Sequence, residues 1–110
     1  MLLPSRHLAF YDSKPYRRWY LVADMDADRV LGACYLTKQN EIGIQLFNAH
    51  QGKGYAVEAV NELITKHKPL KAIPGKRSGR FIANINSANE RSKRLFQKLG
   101  FVHIQETYAL

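Results

Sequence analysis

The chain has 110 residues, 45% of them hydrophobic, and a formal net charge of +8. That length suits one small domain. The apolar content excludes a disordered chain, and no apolar run is long enough to span a bilayer. Lys and Arg outnumber Asp and Glu by 17 to 9, which favours an anionic ligand, an acidic partner or nucleic acid without choosing among them.

Residues 1–17 read as an irregular segment broken by Pro4 and Pro15. They carry no signal-peptide core, so a cytoplasmic location is the default expectation. Arg18 to Ala23 reads as a strand, Asp24 to Asp28 as a polar turn and Arg29 to Leu36 as the returning strand. Cys34 is the only cysteine. It excludes an internal disulfide and a multi-cysteine zinc site, and no metal is expected. Thr37 to Asn40 reads as a second turn. Glu41 to Phe47 reads as a third strand, with Ile42, Ile44 and Leu46 on one face. The three runs predict an antiparallel meander.

After the turn at Gln51–Gly54, helical spacing runs from Tyr55 to Lys68 and Pro69 ends it. Lys66 to Arg80 is basic, holds Pro74, Gly75 and Gly79, and reads as an exposed loop. Phe81 to Ile85 is the next predicted strand. Asn89 to Leu99 is the second helix, with Leu95, Phe96 and Leu99 inward and Gly100 as its stop. Phe101 to Tyr108 is read as a closing strand. The whole of 1–110 is taken as one domain, without repeats.

Gln51-Gly52-Lys53-Gly54-Tyr55-Ala56 joins a predicted strand to a helix start. Such a junction aims backbone N–H groups and the positive end of the helix dipole at one point, which suits a phosphate or pyrophosphate. The segment also fits the Q/R-x-x-G-x-G/A signature of the GNAT superfamily of N-acetyltransferases. Asn89 to Phe101 looks like the N-x-x-S-x-x-L-x-x-K-L-G-F helix of the same superfamily. Two such segments in the right order are far more specific than one glycine turn. The resemblance covers roughly Trp19 to Phe101. It is closest to the branch that acetylates ribosomal-protein N-termini, whose members often carry a G-K-G-Y-A-x-E-A helix start.

The resemblance implies an α/β fold, with a GNAT-like mixed central sheet that is largely antiparallel, two main helices, and reduced N- and C-terminal parts. It implies acetyl-CoA as donor. Backbone N–H groups of Gln51, Gly52, Lys53, Gly54, Tyr55 and Ala56 would hold the pyrophosphate, Gly52 and Gly54 allowing close approach. Lys53 adds a charge outside the cradle or stands solvated beside it. In this family the strand before the turn and the strand after the helix splay apart to admit the pantetheine arm. Leu46 and Phe47 would then flank the thioester, with a backbone N–H near its carbonyl. Asn84 and Asn89 would lie across the gap, and Asn89 is also a good N-cap.

The implied reaction is direct attack by an amine on acetyl-CoA in a ternary complex, so Cys34 need not act as nucleophile. Glu41 is the base candidate, working through water, and His50 sits at the cradle's rim. Many members place an acidic tyrosine where this chain has Phe96, which is read as core. Tyr35, Tyr108, Ser92 or solvent would substitute. The short ends imply an open acceptor side, an amine on a protein as acceptor, and a sheet edge that a homodimer would cover. Two other functions compete. One is a CoA-binding regulatory module without turnover. The other is a protein associated with nucleic acid or tRNA through Lys66, Lys68, Lys71, Lys76, Arg77 and Arg80.

Overall fold

Three strands carrying β-branched and aromatic residues fold on one another as a meander: β2 (Tyr16–Asp24), β3 (Arg29–Thr37) and β4 (Ile42–Leu46). A short strand β1 (Leu2–Pro4) pairs antiparallel with β2, Leu2 opposite Val22, giving the order β1-β2-β3-β4. The computed structural model describes residues 2–4 and 16–110. The expectation of an irregular 1–17 is therefore corrected at residues 2–4 and 16–17. Its remainder lies outside the described residues. Pro4 is compatible with β1 because that strand ends there at the sheet edge.

Two carboxamide- or carboxylate-bearing residues shape the hairpins. Asp24 Oδ1 accepts from the amides of Asp26 and Ala27 at 3.1 and 3.3 Å, an Asx-type turn. Asn40 takes φ +67, a conformation Asn tolerates better than most residues. It is fully buried. Its Nδ2 donates to the carbonyls of Leu70 and Ser78 at 2.9 and 2.8 Å, and its Oδ1 accepts from the Leu70 amide at 2.6 Å. One side chain thus ties the long basic loop to the β3–β4 turn.

Pairing fixes the faces of the sheet. Tyr20, Cys34 and Ile44 are opposite one another, as are Val22, Gly32 and Leu46. Helix α1 (Tyr55–Lys66) covers this side with Ala59, Val60 and Leu63. A register shift beside Val22 leaves Leu31 without an opposite residue, and Leu31 joins the same core. The other face carries Trp19, Tyr35 and Gly43 in register. Trp19 and Tyr35 stack with centroids 5.6 Å apart. The Tyr35 ring fills the space that a Cβ at position 43 would need, so only glycine fits there.

Helix α1 stops at Lys66, two residues short of the expected end. His67 is extended, and its ring nitrogen meets the Tyr20 hydroxyl at 2.7 Å. Lys68, which precedes proline, is disfavoured in a helix. Helix α2 (Glu90–Lys98) starts where expected, with Asn89 Oδ1 accepting from the Ser92 amide at 3.0 Å. It ends in a Schellman motif: the amides of Phe101 and Gly100 donate to the carbonyls of Phe96 and Gln97, with Gly100 at φ +92. The aromatic rings of Phe96 and Phe101 meet edge to face at 5.1 Å across that motif.

Two expected strands are absent among the described residues. Residues 81–85 make a single parallel bridge, Glu41 with Ile82, in place of a ladder. Side-chain packing of Phe81, Ala83 and Ile85 against the core positions this segment instead. Residues 102–110 are exposed and pair with no described strand. Their alternation places Val102, Ile104 and Tyr108 on one side, but Glu106 interrupts it. The α/β, largely antiparallel architecture with two helices agrees with the expected fold class.

Candidate functional site: the β4–α1 junction

Backbone geometry decides which amides of β4 face the site. The Phe47 amide donates to Leu31 O at 2.9 Å, and the Thr37 amide donates to Glu41 O at 2.9 Å. Alternation along the antiparallel pair then turns the amides of Gly43 and Gln45 toward β3, and those of Ile42, Ile44 and Leu46 the other way. The Ile42 amide reaches Ile82 O at 2.8 Å, and the Ile82 amide returns to Asn40 O. Beyond that bridge the two segments part. The amides of Ile44 and Leu46 border the opening between β4 and residues 83–85. The Phe47 amide is engaged by β3, and its ring is exposed. Leu46 keeps a buried side chain and an outward amide.

A short 3₁₀ turn (Asn48–His50) leads from β4 to the glycine turn. Gly52 and Gly54 both have positive φ, +75° and +84°, and a Cβ at either would meet nothing within 4 Å. Backbone conformation therefore demands glycine here, and the outer side is open to a ligand. Helix α1 begins at Tyr55 with Gly54 at its cap and no side-chain cap bond. The first-turn amides of such a helix need partners from elsewhere, and the dipole favours an anion. The side chains of Tyr55 and Ala56 pack on the core, so only their backbone is offered to the junction. Lys53 is exposed.

Gln51 acts through its side chain. Its Nε2 donates to Leu46 O at 3.0 Å and to Asn48 Oδ1 at 3.3 Å, and its Oε1 accepts from Arg91 Nη1 at 2.7 Å. The end of β4, the glycine turn and the first turn of α2 are thereby locked together. Arg91 was not a sequence candidate. Its only signal was a cation within the N-x-x-S segment, and its partner lies forty residues earlier. Asn84 and Asn89 are exposed, and Asn89 spends its oxygen on the Ser92 amide.

Glu41 stands apart from this cluster. It is half-buried at the closed end of the opening, about 16 Å along the strand from Leu46. Pairing puts it on the sheet face that also bears Tyr35, away from the helices. His50 is half-buried at the end of the 3₁₀ turn. Phe96 is 5% exposed within the core. Tyr108 is exposed and donates to Glu106 Oε2 at 2.7 Å, which pushes its hydroxyl pKa up. Cys34 is fully buried. Burial foremost, and then the Glu62 charge, push its thiol pKa up to about 12, so it stays protonated.

A family model described as an acetyltransferase (GNAT) domain matches residues 5–102. The chain belongs to the GNAT acetyltransferase family. Neither a curated protein nor a solved structure gives a significant match. GNAT domains use acetyl-CoA and transfer its acetyl group, which makes this chain an acyltransferase by family. The junction fits that donor on its own geometry: two open, left-handed glycines, a helix start without a side-chain cap, and strand amides facing a gap. Among the described residues no helix is long and apolar enough to cross a membrane, and no group of three or more His, Cys, Asp or Glu converges to hold a metal ion.

Proposed function

We propose that this GNAT domain transfers the acetyl group of acetyl-CoA to an amine on a protein. The observation that carries the reading is the Gln51–Gly54 turn, open on its outer side and set on the start of α1. Bound acetyl-CoA supplies an activated thioester, which the amine attacks directly while the thiolate departs. The amides of Gly52, Lys53, Gly54, Tyr55 and Ala56 hold the diphosphate. Gln51 sets their position through Leu46 O and Arg91. The amides of Ile44 and Leu46 pair with the pantetheine arm, and the Leu46 amide polarises the acetyl carbonyl. Asn84 and Asn89 border the arm from the other side.

The acceptor is a protein N-terminus, as in the branch the sequence most resembles. An α-amino group has a pKa of about 8, against about 10.4 for lysine. It is partly neutral near pH 7 and asks less of a base. Glu41, on the Tyr35 face about 16 Å along the strand from Leu46, is out of reach of an amine at that carbonyl, so solvent takes the proton. A thiol with a pKa of about 8.5 departs as thiolate with little help, so the buried Phe96 is no obstacle.

That same Phe96 motivates a second reading, a CoA-binding module without turnover. One experiment separates the two. Acetyl-CoA at about a hundred times its Kd raises stability by about 2.7 kcal/mol in either case. Release of free thiol only when a peptide amine is present is expected for the enzyme. Thermal stabilisation without thiol release across a panel of peptide N-termini establishes the module. Absence of stabilisation refutes both.

A further inference from the structure

Charge is segregated along the axis of α1. At the start of the helix, Asp24, Asp26 and Glu58 line one hollow with Tyr55 and Leu31. The far end lies about 18 Å away, since a residue rises about 1.5 Å. There the sequence from Leu63 to Asn89 contains no acidic residue. Tertiary contacts gather cations from distant segments to this end. Arg17 Nη1 donates to Lys68 O at 2.9 Å, joining the start of β2 to the residues after α1. Arg77 Nε donates to Lys71 O at 2.6 Å and Arg77 Nη1 to Lys38 O at 3.2 Å, joining the loop to the β3–β4 turn. Asn40 fixes both strands of that loop from beneath.

Arg17 and Arg77 are thus spent on carbonyls, as is Arg18, whose Nη1 donates to Arg17 O at 2.9 Å. What they hold in place is a set of exposed charges: Lys38, Lys68, Lys71, Lys76 and Arg80. Lys66 is partly neutralised by Glu62 at 3.3 Å. Among the described residues, Glu41 is the other acidic residue the contacts bring near.

We propose that this basic pole, opposite the acidic rim and remote from the β4–α1 junction, docks on the phosphodiester backbone of a nucleic acid without reading its sequence. Three features select that partner. The free charges are mostly lysines, compact and mobile, which suit a dense array of phosphates. A motif-specific acidic peptide is held by arginine forks, and here three arginines, Arg17, Arg18 and Arg77, are committed to the protein's own backbone. An anionic membrane surface takes an amphipathic apolar face, and the one large hydrophobic side chain exposed in the loop is Ile73. Stacking aromatics are absent from residues 66–80, so bases are not read.

The test is fluorescence anisotropy of short mixed-sequence RNA and DNA on the full chain, over a range of salt. The affinity is expected to fall steeply with salt and to be similar for different sequences. A K71E/K76E/R80E variant is expected to bind at least about tenfold more weakly, with a log–log salt slope shallower by about 2. A charge-matched R29E/R94E/K98E control keeps the parent slope. The milder K71Q/K76Q/R80Q variant weakens binding in the same direction, and the acetyl-CoA affinity of every variant stays at the parent value. Equal weakening by the pole variant and the control reduces the effect to net charge and overturns the proposal. So does salt-insensitive binding. Tighter binding of polyglutamate or of phosphatidylserine vesicles than of nucleic acid assigns the pole to an acidic protein or a membrane, and overturns it too.

Discussion

Asn40 is a fully buried polar residue that holds two distant segments together. Three hydrogen bonds from a fully buried amide hold Leu70 and Ser78. Asn40→Ala leaves these groups without partners and puts alanine, which tolerates positive φ less well than asparagine, at this position, so unfolding in urea should show a loss of about 2–4 kcal/mol. Asn40→Gly relieves the backbone strain alone and should recover about 1 kcal/mol of that. Gly54→Ala separates two roles differently. Its φ of +84 costs about 1–2 kcal/mol of stability. Since a Cβ there meets no protein atom, any loss of acetyl-CoA affinity measured by calorimetry reports the ligand. Unchanged affinity in a folded Gly54→Ala protein removes the junction from the donor site. His67 sets a pH dependence. Burial, and then Arg17, Arg18 and Lys66, hold its pKa below the usual 6.5. The unfolded chain therefore binds this proton more readily than the folded one. The contribution is whole above 6.5 and is lost as pH falls through the lower folded value. The urea midpoint should drop between pH of about 7.5 and about 5, and His67→Gln should flatten that drop.

Elements meet at the donor site through side chains rather than through the sheet. Residues 81–85 are held to β4 by one bridge, and α2 is held to the glycine turn by Gln51 and Arg91. Arg91→Ala leaves α2 intact, because Asn89 still caps it. It frees the turn, and acetyl-CoA affinity should fall about 3- to 10-fold, the worth of one hydrogen bond. Gln51→Ala should cost more, since it also releases Leu46 O. In a double-mutant cycle the two losses should be less than additive. Additive losses show that the bond does not position the turn. On the other side of the core, Cys34 lies at the centre of β3 with its thiol protonated. It should resist alkylation in the native protein and react at once in urea, which mass spectrometry reads directly.

Over the whole molecule, α1 separates two ends with different chemistry. One bears the glycine turn and an acidic hollow, and the other a basic pole. The pole was legible only in part. Lys66 to Arg80 stands out as a basic run, but Arg17 and Arg18 of β2 and Lys38 of the β3–β4 turn reach that end through contacts of long sequence separation. Which cations are free to meet a ligand also depends on structure, since Arg77 looks like a partner-binding residue in sequence and proves to be a clamp.

Local physics made much of this protein readable from its residues alone. Aromatic and β-branched content marked β2, the polar turn after it marked β3 as the returning strand, and alternation marked β4. Asn89 and Gly100 bounded α2, and the glycines flanking Lys53 marked the turn, because caps and left-handed positions restrict residue type within a few positions. Both family motifs are contiguous for the same reason. What contact across the chain decides was not readable. The segment expected as a strand at 81–85 packs Phe81, Ala83 and Ile85 on the core as its alternation implies, but meets β4 through a single bridge. The 101–108 alternation found no edge among the described residues to pair with. Pairing register turned the Leu46 amide to the gap and gave that of Phe47 to β3. A strand's side-chain pattern shows which face is buried, but the direction of its hydrogen bonds is set by the neighbour it acquires on folding.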